Sequence, residues 1–179
     1  VAHEYQLPQY FFTQSQVLYL RPMTKGISED SQVRIAGEDP NHYVAIDSVE
    51  QLKRWADRII NAIAFDQDPA NLAKARVAMA QVQDIDTSSS SPDNIEITGH
   101  GINKATAILR VCERLNQPMA RTMAFGDGSN DLEMLTTVHY GVAMGNANAE
   151  VKAATKFHTL DIDHDGVAVF LDDFFGGKA

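Results

Sequence analysis

The chain has 179 residues, 44% of them hydrophobic and 22% charged, with a formal net charge of −9. That length is enough to bury a proper core in one domain or two small ones. The acidic balance makes nucleic acid and anionic membranes poor partners, and no apolar run approaches the roughly 18 residues that span a bilayer. Val1 to Tyr10 has neither a basic start nor a continuous apolar stretch, so no signal peptide is read there. The single cysteine, Cys112, has no partner for an internal disulfide, which fits a reducing, cytoplasmic setting.

Taken in chain order, residues 10–20 and 32–36 look extended, and 49–60 looks like an amphipathic helix. A strand over 63–66 precedes a helix over 69–81, with Asp68 as N-cap and Pro69 in its first turn. The polar run Thr87 to Pro92 reads as a loop or strand edge, and 95–98 as a strand. Tyr10, Phe11, Phe12 and Tyr19 are expected in the core of this first half. The pattern predicts a small α+β domain over 1–98, with the boundary at Gly99-His100-Gly101, where two glycines bracket a change of pattern.

Beyond it, 103–116 is a predicted helix whose Ile108, Val111, Cys112 and Leu115 share one face, so Cys112 reads as core. A buried strand over 121–125 leads into the turn Gly126-Asp127-Gly128, then a helix over 130–138. A strand at 141–144, a helix at 147–154, a strand at 157–160 and a helix at 167–174 follow. Strands alternating with helices across short connections imply a parallel sheet. The expected class is therefore α/β: a partial doubly wound, Rossmann-like core over 99–179, with an α+β domain before it.

Chemistry concentrates at Gly126-Asp127-Gly128-Ser129-Asn130-Asp131. A buried strand brings Asp127 to its carboxyl end, where ligands bind in open parallel sheets. Asp127 and Asp131 offer the hard oxygens magnesium prefers, and helix-opening N–H groups beside them suit an anion. The same string also reads as an ordinary turn with an N-cap. Lys104, in the first turn of its helix, either faces solvent or meets an anion that offsets the unfavourable macrodipole. Asp161 to Gly166, with Asp172 at the twelfth position, mimics a calcium loop but lacks the bidentate Glu and an entering helix. The histidines show no zinc-ligand spacing.

Lys104 at a helix start, the string Gly126-Asp127-Gly128-Ser129-Asn130-Asp131 completed by Met134, the phrase Val142 to Ala147 and the loop Asp163 to Ala168 together resemble the haloacid dehalogenase superfamily. The likeness is to its Cof-like sugar-phosphatase branch and covers about 95–174 closely. It implies a Mg²⁺-dependent hydrolysis of small phosphomonoesters, such as sugar phosphates, through a phosphoaspartate, with residues 1–98 as a substrate-selecting cap. The position matching Asp127 binds magnesium, that matching Lys104 holds phosphate and nucleophile, that matching Asn130 contacts phosphate, and that matching Asp131 supports the metal's outer shell. The partner implied is a small phosphorylated metabolite. In that family the nucleophile comes from a strand ending D-x-D-G-T. Asp66-Gln67-Asp68, Asp84-Ile85-Asp86 and Asp161-Ile162-Asp163 are poor substitutes in their settings. The expectation is that the nucleophile segment is missing from this chain and that the isolated chain is inactive. The alternative is a non-catalytic phosphate-binding or structural fragment; the cytosolic part of a P-type ion pump shares a similar turn, but the lack of a membrane span and the Cof-like tail argue against it.

Overall fold

The computed structural model describes residues 1–20 and 42–176, so the extended stretch expected at 32–36 lies outside the described residues. The chain divides into two compact units, Val1–Gly101 and Ile102–Ala179.

The first unit is built on a six-stranded sheet. Its strands are β1 (Gln9–Phe12), β2 (Val17–Leu20), β3 (Tyr43–Ile46), β4 (Asn61–Phe65), β5 (Ile85–Ser88) and β6 (Asn94–Gly99), in the order β3-β2-β1-β4-β6-β5. Among the described residues every pairing in this sheet is antiparallel except β2 with β3. The stretch expected to be extended over 10–20 is a hairpin. Thr13 reverses the chain by taking the N–H of Gln16 on its hydroxyl at 2.9 Å. The polar run after Ile85 begins as edge strand β5 and becomes loop beyond Ser88.

The helix expected over 49–60 is short. α1 covers Val49–Lys53, a 3-10 turn covers Ala56–Arg58, and Ile59 is already extended. No residue of α1 is buried, so no packed face carries the helix further. α2 (Pro69–Met79) is better anchored: Asp68 accepts the N–H of Ala70 at 2.9 Å, and Pro69 sits where its missing N–H costs nothing. Leu72, Ala75 and Met79 fall on one face and pack with Leu7, Ala64 and Ile95 as the core of this unit. Tyr10 is buried as expected, while Phe11, Phe12 and Tyr19 are half-buried.

The second unit carries a three-stranded parallel sheet in the order β7 (Met123–Gly126), β8 (Tyr140–Ala143), β9 (Phe157–His158). Its helices are α3 (Lys104–Leu115), α4 (Leu132–Thr137), α5 (Ala149–Ala154) and α6 (Gly166–Gly176). Side chains alternate across each strand, so the sheet is covered on both faces. Ala124 and Ala143 pack with Leu135, Val138 and Val151 on one side. Phe125 meets Phe170 edge-on at 5.6 Å, and Tyr140 meets Phe174 at 4.9 Å.

The predicted face of α3 is only partly buried. Cys112 is inside, but Val111 and Leu115 are exposed, because the helix packs chiefly against α4 rather than lying across the strands. The helix expected from Asn130 begins as a 3-10 turn, Ser129–Asp131, and becomes α-helical only at Leu132.

Candidate functional site at the carboxyl edge of the parallel sheet

Two glycines let the chain turn sharply off β7. A Cβ on Gly126 would lie 2.5 Å from the Cβ of Asp131, and one on Gly128 would lie 2.7 Å from Oδ1 of Asn130. With both positions bare, the 3-10 turn folds back and brings the carboxylate of Asp131 beneath the loop. Asp131 is buried, yet both its oxygens are satisfied. Oδ2 accepts the N–H of Asp127 at 3.1 Å and that of Gly128 at 3.3 Å. Oδ1 pairs with Nζ of Lys104. The carboxylate thus joins the first residue of α3 to the loop after β7, and brings two of the sequence-selected residues to one place.

Lys104 is held there by its own helix start. Asn103 caps α3 by accepting the N–H of Thr106 at 2.9 Å, while the Thr106 hydroxyl accepts the N–H of Asn103 at 3.1 Å. The Asn103 amide also donates to Glu133 at 2.8 Å, tying α3 to α4. The ammonium of Lys104 remains half-exposed at 52% of its side chain, whereas the Asp131 side chain is 8% exposed. A lysine at a helix N-terminus is unfavourable against the macrodipole, and the Asp131 carboxylate offsets that cost.

Asp127 is exposed at the end of β7. Its Oδ2 accepts from Nδ2 of Asn146 at 2.6 Å, and its carbonyl accepts the N–H of Asn148 at 3.1 Å. Nδ2 of Asn148 donates to Oγ of Ser129 at 3.1 Å, and that hydroxyl donates to Glu150 at 3.1 Å. Asn130 is half-buried in the 3-10 turn between them. The loops after β7 and β8 therefore form one hydrogen-bonded rim.

The charges on this rim favour a cation. Asp127, Asp131, Glu133 and Glu150 are joined to these loops and helix starts by hydrogen bonds, as are Lys104 and Lys152, so carboxylates outnumber ammonium groups here and a metal would offset that excess for a phosphate. Magnesium keeps several waters and takes one or two protein carboxylates together with substrate oxygens. The exposed carboxylate of Asp127 fits that need. Among the described residues no three His, Cys, Asp or Glu side chains gather as a ready-made ligand set. The oxygens of Asp131 already carry Lys104 and two amides, so this residue braces the loop.

A profile of haloacid dehalogenase-like hydrolases matches residues 1–171. The chain belongs to that family. Among curated relatives, 5-amino-6-(5-phospho-D-ribitylamino)uracil phosphatase YcsE of Bacillus subtilis is 43% identical over 86 residues, which are 48% of this chain and 34% of that protein. A haloacid dehalogenase-like hydrolase of B. subtilis matches the fold with a TM-score of 0.77 at 23% identity, covering 93% of this chain and 65% of that one. The subclass IIB sugar phosphatase BT4131 matches with a TM-score of 0.75 at 21% identity, covering 97% and 62%. The stretch shared with YcsE is thus about a third of that relative's length.

The sequence singles out Lys104, Asp127, Asn130 and Asp131 but assigns no role to Asn146, Asn148, Ser129 or Glu150. The available signal was position: Gly145-Asn146-Ala147-Asn148 follows a buried parallel strand, so its polar groups emerge at the same sheet edge as Asp127. Among the described residues, no helix is long and apolar enough to cross a membrane.

Proposed function

We propose that this chain carries the cap and part of the core of a Mg²⁺-dependent phosphatase acting on small phosphorylated metabolites such as sugar phosphates. The observation that carries the reading is the bridge from Lys104 through Asp131 to the loop of Asp127, at the carboxyl edge of a parallel sheet. In this reading Asp127 holds the cation, Lys104 and Asn130 hold the phosphoryl oxygens, and Asp131 keeps Lys104 and the loop in register. Magnesium, when bound, supplies positive charge that neutralises the transferred phosphoryl group. Lys104 adds a second positive charge that costs little reorganisation, because its ammonium is already anchored by Asp131. Residues 1–101 serve as the cap that selects the leaving group, and 102–179 as the part of the core that holds metal and phosphate.

The reaction needs an aspartate nucleophile, and the 179 residues contain no D-x-D-G-T string. The stretch Asp163 to Gly166 reads D-x-D-G, but it lies in a 3-10 turn and at the start of α6 rather than at the end of a strand. The isolated 179-residue chain is accordingly expected to hydrolyse no phosphomonoester at an enzymatic rate. The test uses p-nitrophenyl phosphate and Mg²⁺ with the protein as it is encoded and with this chain alone. In an active protein, Asp127→Asn should weaken activation by Mg²⁺, with partial rescue by excess metal. Lys104→Met should leave cation affinity largely intact and lower the rate a few hundredfold, about 3–4 kcal/mol. Turnover by the isolated chain, or full activity in both variants, would refute the assignment.

A further inference from the structure

The position of Asn146 is set by the backbone around it. In the turn after β8, the N–H of Met144 donates to Gly126 at 3.0 Å and that of Gly145 to Leu160 at 3.0 Å. The N–H of Ala147 donates to Met144 at 2.9 Å and that of Asn148 to Asp127 at 3.1 Å. Nζ of Lys152 donates to the carbonyl of Gly145 at 2.6 Å. Gly145 has no room for a side chain, since a Cβ there would stand 2.5 Å from the backbone nitrogen of Asp161. The turn is thereby anchored on both flanks, to the loop after β7 and to the segment around Asp161.

From this frame Nδ2 of Asn146 donates to Oδ2 of Asp127 at 2.6 Å. Among the described residues the other oxygen, Oδ1, carries no hydrogen bond or ion pair. A carboxylate engaged in this way presents Oδ1 as its free oxygen, and gripping the cation with both oxygens would put the metal on an atom that already carries the Asn146 amide. Magnesium demands near-octahedral coordination by single oxygens, whereas calcium accepts six to eight ligands and takes carboxylates in one- or two-oxygen fashion. We propose that Asn146 is a positioning residue that holds Asp127 as a one-oxygen ligand and so favours magnesium over calcium. This rests on the reading of Asp127 as the cation ligand.

The test measures binding of the metal alone to the protein as it is encoded. Mn²⁺ is followed by electron paramagnetic resonance, and Mg²⁺ and Ca²⁺ compete it away. Asn146→Ala should weaken Mg²⁺ about tenfold, the lower end of what loss of a ligand-orienting partner produces, while Ca²⁺ changes much less. The side chain is exposed, so the metal-free variant should melt as the parent does. Asn148→Ala is the control for a general loosening of the turn: it removes the contact to Ser129 and the cap of α5 but leaves Asp127's carboxylate engaged. It should lower thermal stability and leave the Mg²⁺ to Ca²⁺ ratio unchanged. An unchanged ratio in Asn146→Ala, or an equal shift in Asn148→Ala, overturns the role given to the Asn146 amide. Asp127→Asn separates the two levels. If it loses Mn²⁺ while Asn146→Ala keeps its ratio, only the selectivity role falls. If it binds Mn²⁺ normally, the cation-ligand reading falls and takes this inference with it.

Discussion

Among the described residues each unit buries one notable polar side chain, and the two are satisfied in opposite ways. In the first unit Asn94 accepts from the hydroxyl of Ser89 at 3.1 Å and the N–H of Ser90 at 3.2 Å, and its amide donates to the Ser90 hydroxyl at 3.1 Å. All its side-chain partners lie within five residues, so it shapes one loop beside β6. In the second unit Asp131 joins a loop to Lys104, 27 positions earlier in the chain. The first is a local device that makes a hairpin turn. The second assembles groups from two elements, one cationic and half-exposed, at the edge where ligands bind in parallel sheets. A buried polar group with distant partners is therefore the better guide to a site.

That contrast has measurable consequences. Asp131→Ala removes the carboxylate that carries Lys104 and two amide donors, and should lower stability by about 2–4 kcal/mol. This is less than a fully buried pair would lose, because Lys104 regains water. Urea denaturation with an unchanged slope checks it. Asn94→Ala should cost less, about 1–2 kcal/mol, since its partners are hydroxyls and an amide of a surface loop that water can reach. A larger loss for Asn94→Ala than for Asp131→Ala would reverse the comparison.

The smallest effect belongs to Asp86 in the first unit. Its carboxyl lies below the ordinary value of 3.8, first because the N–H of Gly101 donates to it and next because His100 does. A lowered carboxyl pKa means that the favourable contribution is present above the ordinary value and is lost as pH falls through the lower one. His100→Ala should raise this pKa only part of the way, because the Gly101 amide remains. Carboxyl-carbon NMR of Asp86 across the acid range reads it directly. Full return to the ordinary value would make His100 the principal cause.

The same bonds explain where the first unit ends. The glycine pair at Gly99 and Gly101 signals a change of pattern in the sequence. However, β6 runs through Gly99, and Asp86 keeps Gly101 with the first unit, so the second begins at Ile102.

Local signals read well wherever the physics is local. Asp68-Pro69 is a helix start by its own chemistry, and the buried run before Gly126 is a strand because apolar residues bounded by glycine have few alternatives. The string from Gly126 to Asp131 by itself determined that acidic groups would leave a strand at one sheet edge, and family resemblance attached a chemistry to it. Tertiary structure alone decided what those groups touch. Whether Lys104 faced solvent or a partner depended on how α3 packs against α4, which no periodicity in either helix specifies. The exposure of Val111 and Leu115 has the same origin: an apolar stripe says which face seeks cover, while the neighbouring elements decide how much of it is found. Asn146 was legible as a residue after a strand but not as Asp127's partner. That bond depends on β7 and β8 lying side by side in parallel with Gly126 opposite Ala143, a register set by long-range pairing rather than by any local stretch of chain.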